Sequence, residues 1–483
     1  MSSSPVRFAS RSLSRAVESP IGLRARRGLR GATNAYYALP VPVADGRRPL
    51  AVAWLALGLA ALVASGIFAL LLVAARTPFL APLFPVADFF HVALVVHVDL
   101  SVLVWFAACA GLLWTVSGAA RLGSLGWTAL AFAAVGTALM SGAPFLGRGR
   151  PIMSNYVPVL DDPLFLAGLA AFGAGFAALT LRAIAAPARV EFGLDGVDAQ
   201  RFGLNAAAVS AAIAAAAFVW SWLALPDGLS GQRYYELLFW GGGHVLQFTW
   251  TLLMLVAWLW LATLAGVRLP IGPRVATILF GIALAAVFAV PVIYLAWPVT
   301  SLEHRQLLTW LMRFGGGVAI LPIGLALVIG VARAGRATAE ARPLRAALSA
   351  SVALFAVGGG IGFLIQGSDV RVPAHYHGSI VGVTLALMGL AYALVPRLGL
   401  GRPSARLATL QPLVYGAGQL LHIVGLMWSG GYGVQRKVAG SAQVLRTTQE
   451  VIGMGVMGIG GLVAVIGGVL FVVVILRAVA GKR

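Results

Sequence analysis

The sequence predicts an all-α polytopic membrane protein with about twelve transmembrane helices. Of its 483 residues, 60% are hydrophobic and 10% are charged, which is more apolar surface than a water-soluble core of this length can bury. The apolar residues also form uninterrupted runs of at least ~18 residues, the length that crosses a bilayer as a helix. Together these observations exclude a soluble globular enzyme.

Twelve apolar runs follow one another along the chain. Their approximate limits are 50–76, 88–117, 125–146, 163–187, 204–225, 236–266, 275–297, 307–333, 344–367, 372–397, 408–429 and 450–477. The sequence therefore divides into an Arg-rich N-terminal tail, 1–49, and a transmembrane domain, 50–483.

The formal net charge of +20 comes mostly from Arg residues in the tail and in short loops. Nucleic-acid binding is a poor explanation, because the positive-inside rule accounts for basic loops in a membrane protein. For a bacterial inner membrane, the positive-inside rule predicts a cytoplasmic N-terminus. An even number of spans places the C-terminus on the same side. The tail is also compatible with an organellar presequence.

A single cysteine, Cys109, lies inside the second span. It excludes an intrachain disulfide and a metal centre that this chain alone builds from several thiolates, and no Cys-x-x-Cys-His haem attachment sequence is present. Catalytic chemistry is therefore expected from ionisable residues within the membrane, where they are costly and become functional candidates.

Six of the seven histidines are predicted at one depth near the outer surface. They are His91, His97, His244, His304, His375 and His377, and His304 is expected in the loop before the eighth span. A hydrogen bond between helices explains a lone membrane histidine well. Six histidines at one level instead indicate metal or haem ligation.

The tenth span begins with R-V-P-A-H-Y-H-G-S-I-V-G-V. Residues two apart on an α-helix are separated by about 200° of rotation, so His375 and His377 project to opposite sides and cannot chelate one ion together. Each can instead hold a separate flat cofactor through an imidazole nitrogen. The spacing therefore predicts two haem sites on either side of one helix.

Four segments resemble the catalytic subunit (subunit I) of the haem–copper oxidase superfamily, which includes cytochrome c oxidases and nitric oxide reductases. They read H-V-D-L-S-V-L-V-W-F in the second span, F-W-G-G-G-H-V-L-Q-F in the sixth, A-H-Y-H-G-S-I-V-G-V-T-L-A-L-M-G-L-A-Y-A-L-V-P-R in the tenth and G-L-M-W-S-G-G-Y-G-V-Q-R-K after the eleventh. The resemblance covers all twelve spans. It implies a subunit I-like bundle with one low-spin haem, one high-spin haem and one non-haem metal, iron or copper.

The resemblance also implies roles for individual histidines. His97 and His377 would be the axial pair of the low-spin haem, and His375 the proximal ligand of the high-spin haem. His244 would bind the non-haem metal that faces the high-spin haem.

Several assignments leave alternatives open. His91 competes with His97, whereas His422 matches no ligand position and is expected to be structural. Arg436 and Lys437 match the basic pair that neutralises haem propionates, or they are ordinary charges of an outer loop.

The chain departs from the family pattern before the eighth span. In place of two adjacent histidines it has T-S-L-E-H-R, so Glu303 and His304 are expected to take their place as metal ligands. A carboxylate ligand suits iron better than copper. Alternatively, Glu303 pairs with Arg305 and leaves the third ligand unidentified.

The redox tyrosine of the oxygen-reducing members is also expected to be missing. Phe248 stands four residues after His244, and Gln247, beside it, is a further candidate for the catalytic site. Tyr294 in the seventh span is nine residues before Glu303, which is not the spacing expected of that tyrosine.

Proton-carrying residues are sparse. Asp99 is the acidic residue well inside a span, and Lys437 and Lys482 both lie outside the spans, so the lysine that leads protons along the eighth helix in many oxidases is missing. Glu236 could feed protons from the outer side, or it is an interfacial acid beside Arg233.

These departures favour the reduction of nitric oxide to nitrous oxide, which breaks no O–O bond and needs no tyrosyl radical. A cytochrome c oxidase-like terminal oxidase that reduces O2 to water is the alternative, and a twelve-helix transporter is a third class. Electrons are expected from a periplasmic-facing copper or cytochrome c subunit, because this chain lacks the cysteines for either centre.

Overall fold

A computed structural model of the chain describes residues 36–41, 45–80, 87–147, 149–191, 193–439 and 443–481. Most of the predicted tail, and Lys482, lie outside the described residues. The first half contains α1 Arg47–Arg76, α2 Ala87–Val98, α3 Trp105–Ser117, α4 Gly123–Gly142, β1 Arg150–Ile152, β2 Val159–Asp161, α5 Pro163–Ala185, α6 Gly196–Ala224 and α7 Gly231–Leu264. The second half contains α8 Pro273–Val287, α9 Ala289–Ala296, α10 Leu302–Gly315, α11 Gly317–Arg333, α12 Arg342–Gly362, α13 Arg371–Arg397, α14 Ala405–Gly431 and α15 Thr448–Ala480.

The prediction of an all-α polytopic membrane protein is confirmed. Eleven helical segments in the described part of the chain are long and apolar enough to cross a membrane. The eleventh predicted span, 408–429, corresponds to α14, whose 27 residues pack against α12, α13 and α15. Its apolar run is interrupted by polar side chains such as Gln411, Gln419 and His422, so α14 is not among the eleven segments.

Three of the predicted spans are broken helices. A π-helical turn, Asp99–Val104, joins α2 to α3 immediately after His97, and such turns are frequent at functional sites. The seventh span breaks between α8 and α9, because Pro291 has no backbone N–H for the carbonyl of Val287. The eighth span breaks at Gly316, between two further glycines, where the helix is weakest.

Helix caps place two helix starts earlier than the apolar runs predict. Helix α6 begins at Gly196 rather than near 204, because Asp195 and Asp198 form a reciprocal capping box. Helix α10 begins at Leu302 because the Ser301 hydroxyl accepts a hydrogen bond from the His304 N–H at 3.1 Å. His304 therefore lies in the first helical turn and not in the predicted loop.

Helices α7 and α13 form the centre of the bundle, and 89% of the apolar window of each is buried. Ser351 of α12 connects these two helices. Its hydroxyl accepts a hydrogen bond from Trp258 Nε1 of α7 at 2.7 Å and donates one to the Gly382 carbonyl of α13 at 2.6 Å. The helices that carry His244, His375 and His377 are thus held together by buried hydrogen bonds as well as by packing.

Candidate functional site

Three histidines from three helices lie close together at one end of the bundle. The rings of His377 on α13 and His422 on α14 lie 4.9 Å apart, and His377 is close enough to His97 on α2 to interact with it electrostatically. From the sequence, His422 is expected to be structural because it matches no ligand position. In the structure its ring contacts the ring of His377.

Each of these histidines is oriented by a backbone carbonyl. The Nδ1–H groups donate to Ser65 O at 3.1 Å for His97, to Pro373 O at 2.8 Å for His377 and to Met457 O at 2.9 Å for His422. Such a bond fixes the tautomer and leaves Nε2 with its lone pair, the state in which imidazole binds a metal.

His375 faces the other side of α13. Its Nδ1–H donates to the Gly358 carbonyl of α12 at 2.7 Å, and a Cβ placed on Gly362 would stand 2.7 Å from the same nitrogen. Gly362 therefore leaves space for the His375 ring, and Gly358 supplies the carbonyl that orients it. This orientation agrees with the opposite projection that the H-x-H spacing predicts.

His91 points away from the three-histidine group. Its Nε2 lies 2.9 Å from the backbone carbonyl of Lys437, in the loop that follows α14, so the ring nitrogen donates there. This contact accounts for His91 without a cofactor, whereas the Nε2 of His97 has no hydrogen-bond partner among the described residues.

His244 and His304 form the second group, between α7 and α10. Both are buried, with exposures of 2% and 0%, and they lie close enough to interact electrostatically. His244 Nδ1 donates to Trp240 O at 2.7 Å. Neither ring nitrogen of His304 has a hydrogen-bond partner among the described residues.

Three consecutive glycines give aromatic rings access to α7 beside His244. A Cβ on Gly241 would overlap Tyr294, and one on Gly243 would overlap Tyr156. The Tyr294 ring stands edge-on to His304, with 4.6 Å between ring centroids, and the Tyr156 ring lies 4.6 Å from that of His244. The W-G-G-G-H sequence thus builds an aromatic wall around both histidines.

Glu303 does not join His304. The carboxylate is exposed while His304 is buried, because residues adjacent on a helix point about 100° apart and the imidazole takes the inward direction. Among the described residues, the alternative ion pair between Glu303 and Arg305 is not formed. The Arg305 guanidinium instead lies over the Trp240 ring, 4.9 Å from its centroid. Glu303 thus makes no described contact with His304, and its role as a metal ligand stays a prediction.

Gln247 and Tyr294 lie near the site without pairing with either histidine. Gln247 is on α7 one turn after His244, is exposed, and forms no hydrogen bond with the described residues. The Tyr294 hydroxyl bonds to Ser221 Oγ at 2.8 Å and donates to the Ala217 carbonyl at 3.2 Å. Its hydroxyl thus faces α6 although its ring edge meets His304.

Two cationic side chains, Arg436 and Lys437, lie in the loop that follows α14. Arg436 Nε donates to Ser368 Oγ at 2.9 Å, and Lys437 Nζ donates to Met153 O at 2.6 Å. Burial and the neighbouring Arg436 lower the pKa of Lys437 to about 8. These positions suit anionic groups at the outer rim.

Arg76 is a further cation that sequence reasoning missed. It ends α1, donates to Gln443 Oε1 at 3.0 Å and to Gln435 O at 3.2 Å, and interacts electrostatically with Tyr376 and His377. The only sequence signal was an Arg at the end of an apolar run, which the positive-inside rule would not place on this side.

Glu236 is linked to His244 through one short segment. Its carboxylate accepts hydrogen bonds from the backbone N–H of Asn155 at 3.1 Å and from the Asn155 side-chain amide. The next residue, Tyr156, donates from its hydroxyl to His244 Nε2 at 2.8 Å, because His244 Nδ1 already carries the proton. Burial raises the pKa of the Tyr156 phenol.

An open pocket of about 330 Å³ lies beside Glu236. It is lined by Gln232, Arg233, Glu236, Leu237, Thr300 and Arg305. Glu236 thus lines an open pocket and is connected to the histidine site.

The two groups fit the cofactors that the resemblance implies. His97, His375 and His377 each donate from Nδ1 to a backbone carbonyl, the usual orientation of a metal-ligating histidine. A buried imidazole with two unpaired nitrogens, as in His304, is costly unless it gains a partner, and a metal ion supplies one.

Comparisons with other sequences identify uncharacterized relatives. No protein-family model matches the chain. An uncharacterized protein of Rickettsia prowazekii (strain Madrid E) is 29% identical over 500 aligned residues, covering 88% of this chain and 94% of that protein. An uncharacterized protein of Aquifex aeolicus (strain VF5) is 30% identical over 358 residues, covering 72% of this chain and 84% of that protein.

Comparison of structures identifies the fold. The chain is similar to a heme-copper terminal oxidase, known from cryo-EM as a dimer, with a TM-score of 0.70 and 16% sequence identity. The similarity covers 90% of this chain and 84% of that one. The chain therefore belongs to the same family as the Aquifex aeolicus protein and has a haem–copper oxidase subunit I-like fold.

Proposed function

We propose that the chain is the catalytic subunit of a respiratory oxidoreductase that reduces a diatomic gas, with nitric oxide as the substrate. His97 and His377 would hold a low-spin haem, His375 a high-spin haem, and His244 with His304 a non-haem metal. The observation that carries this proposal is the pair of unpartnered nitrogens on buried His304, beside a His244 whose tautomer is already fixed.

The preference for nitric oxide rests on what O–O bond cleavage would need. Joining two NO molecules into N2O takes two electrons and two protons and forms water without a tyrosyl radical. Phe248 occupies the place where many oxidases carry a tyrosine, and the Tyr294 hydroxyl is bonded to Ser221 and Ala217 rather than to a histidine.

Haems and a non-haem metal at these histidines would supply electron transfer and the position where the gas binds. The chain itself would supply protons from outside. Glu236 faces the open pocket and accepts from Asn155, and the adjacent Tyr156 lies against His244, with 4.6 Å between the ring centroids. Trp240 adds an apolar wall, with its ring 4.8 Å from that of His244, and this wall excludes bulk water from the site.

Reduction of O2 to water is a second candidate function. The edge-on contact between Tyr294 and His304 favours it, because it places a phenol ring 4.6 Å from a metal-ligand candidate. The structural neighbour is itself described as a terminal oxidase.

Electrons would come from another subunit, because Cys109 is buried and alone in α3. A copper or cytochrome c subunit on the periplasmic side of a bacterial inner membrane, with both termini of this chain in the cytoplasm, fits the basic patch of Arg76, Arg436 and Lys437 on the outer side. Arg and Lys side chains there would hold the haem propionates.

Gas consumption by the purified complex tests the proposal. With a reduced donor and no oxygen, rapid NO consumption with formation of N2O supports nitric oxide reduction. Rapid O2 consumption without NO turnover supports the terminal oxidase and contradicts our preference. A reduced, haem-loaded complex that consumes neither gas contradicts both functions.

A further inference from the structure

The non-haem metal site lacks an evident third ligand. His244 and His304 supply two imidazoles, and Glu303 is exposed. Among the described residues, no group of three His, Cys, Asp or Glu side chains comes together as a metal site. A site built on this chain needs a donor of another kind, since two protein ligands rarely retain a catalytic metal.

The nearest such donor is the hydroxyl of Tyr156. Its Oη lies 2.8 Å from His244 Nε2 and donates a hydrogen bond to it, and Nε2 is the ring nitrogen left for a metal because Nδ1 bonds to Trp240 O. Two ligands at about 2.0–2.1 Å from one ion are separated by about 2.9 Å when they meet at a right angle. The observed spacing therefore suits neighbouring positions on an octahedral ion, as in non-haem iron sites.

Several contacts hold Tyr156 in this position. Its ring packs in the space left by Gly243 and stands edge-on to Trp240, 5.8 Å between centroids. Asn155, one residue before it, is bonded to Glu236, and Lys437 Nζ donates to Met153 O. The segment that presents the phenol is thus fixed at three points before any ligand binds.

We propose that Tyr156 is the third protein ligand of the non-haem metal and binds as a phenolate. This rests on the proposed function, because it presupposes a metal at His244 and His304. On binding, the phenol O–H bond breaks, an oxygen–metal bond forms, and the proton leaves through the open pocket at Glu236. No electron is transferred. A hard anionic oxygen beside two imidazoles favours iron over copper.

The test uses the oxidised, intact complex, and the probe is its own bound metal. Metal analysis gives the non-haem metal per haem. Resonance Raman spectroscopy detects phenolate ring vibrations, which shift when the protein is made with ring-deuterated tyrosine. The variants are Tyr156→Phe and its matched control Tyr294→Phe, which removes the hydroxyl of the tyrosine whose ring contacts the other histidine.

A second pair of variants keeps both tyrosines, and each variant displaces one of the two rings. Gly243→Ala displaces the Tyr156 ring, and Gly241→Ala, two residues away on the same helix, displaces Tyr294. The low-spin haem spectrum reports folding in all four variants, because its candidate ligands lie on other helices.

We expect phenolate bands in the parent protein that Tyr156→Phe and Gly243→Ala abolish and that both controls retain. The affinity of Tyr156→Phe for the non-haem metal should fall at least ~10- to 100-fold, because removing a residue that only hydrogen-bonds to a metal ligand already costs that much. A parent protein with full metal but no phenolate bands, or a Tyr156→Phe variant with unchanged metal and bands, overturns the inference and leaves the proposed function standing. A complex without haem or non-haem metal overturns the proposed function and with it the inference.

Discussion

Removing the Ser351 hydroxyl should destabilise the packing between α7 and α13, the helices that carry His244, His375 and His377. In Ser351→Ala, Trp258 Nε1 loses its acceptor while it stays buried, and the Gly382 carbonyl loses one of its two bonds. An unpaired buried donor costs about 1–3 kcal/mol, and hydrogen bonds between membrane helices contribute about 0.6–1.7 kcal/mol each. We therefore expect the free energy of unfolding to fall by about 1–3 kcal/mol.

The same atom can be removed elsewhere as a control. Ser429 is equally buried, but its hydroxyl has no partner among the described residues, so Ser429→Ala should leave stability unchanged or slightly higher. Unfolding in mixed detergent micelles by increasing sodium dodecyl sulfate, followed by tryptophan fluorescence, measures both variants. Equal stability of Ser351→Ala and Ser429→Ala would refute the reasoning, because the hydrogen bonds of Ser351 would then contribute nothing to the free energy of unfolding.

Three further predictions concern the site. His377→Ala should abolish the low-spin haem spectrum, while His422→Ala should retain it; loss in both would add His422 to the ligand set. Glu236→Gln should slow turnover about 10²-fold with unchanged optical spectra, and undiminished turnover would exclude an outer proton path through this acid. Burial lowers the pKa of Lys437 from 10.5 to about 8, so between these values the unfolded chain binds more protons and stability should rise with pH. Lys437→Met should lack this rise in detergent unfolding measured across the same pH range, and parallel profiles would contradict the assignment.

The fold could be predicted because a bilayer leaves few options. Apolar runs long enough to cross it must be helical, since every backbone polar group needs a partner within the segment. The helix starts at Gly196 and Leu302 were missed because caps, not apolar runs, set them. The π-helical turn after His97 has no signature in the apolar pattern.

The site was predictable only as far as local spacing reaches. The H-x-H motif fixes the opposite directions of His375 and His377, whose rings meet α12 and α14 respectively. Whether Glu303 or His304 turns inward depends on how α10 packs, and adjacent residues give no sign of it. Tyr156 reaches His244 across 88 residues, a contact that no local pattern encodes.

The most direct test of the central claim is the haem content of the purified chain in its native complex. Extraction as the pyridine haemochrome, combined with a carbon monoxide difference spectrum of the reduced protein, counts total and open haems. The account predicts two haems for each chain, of which one binds carbon monoxide, and loss of the carbon monoxide-binding species in His375→Ala. A colourless protein, or a single haem that survives replacement of His375 and His377 alike, would contradict it.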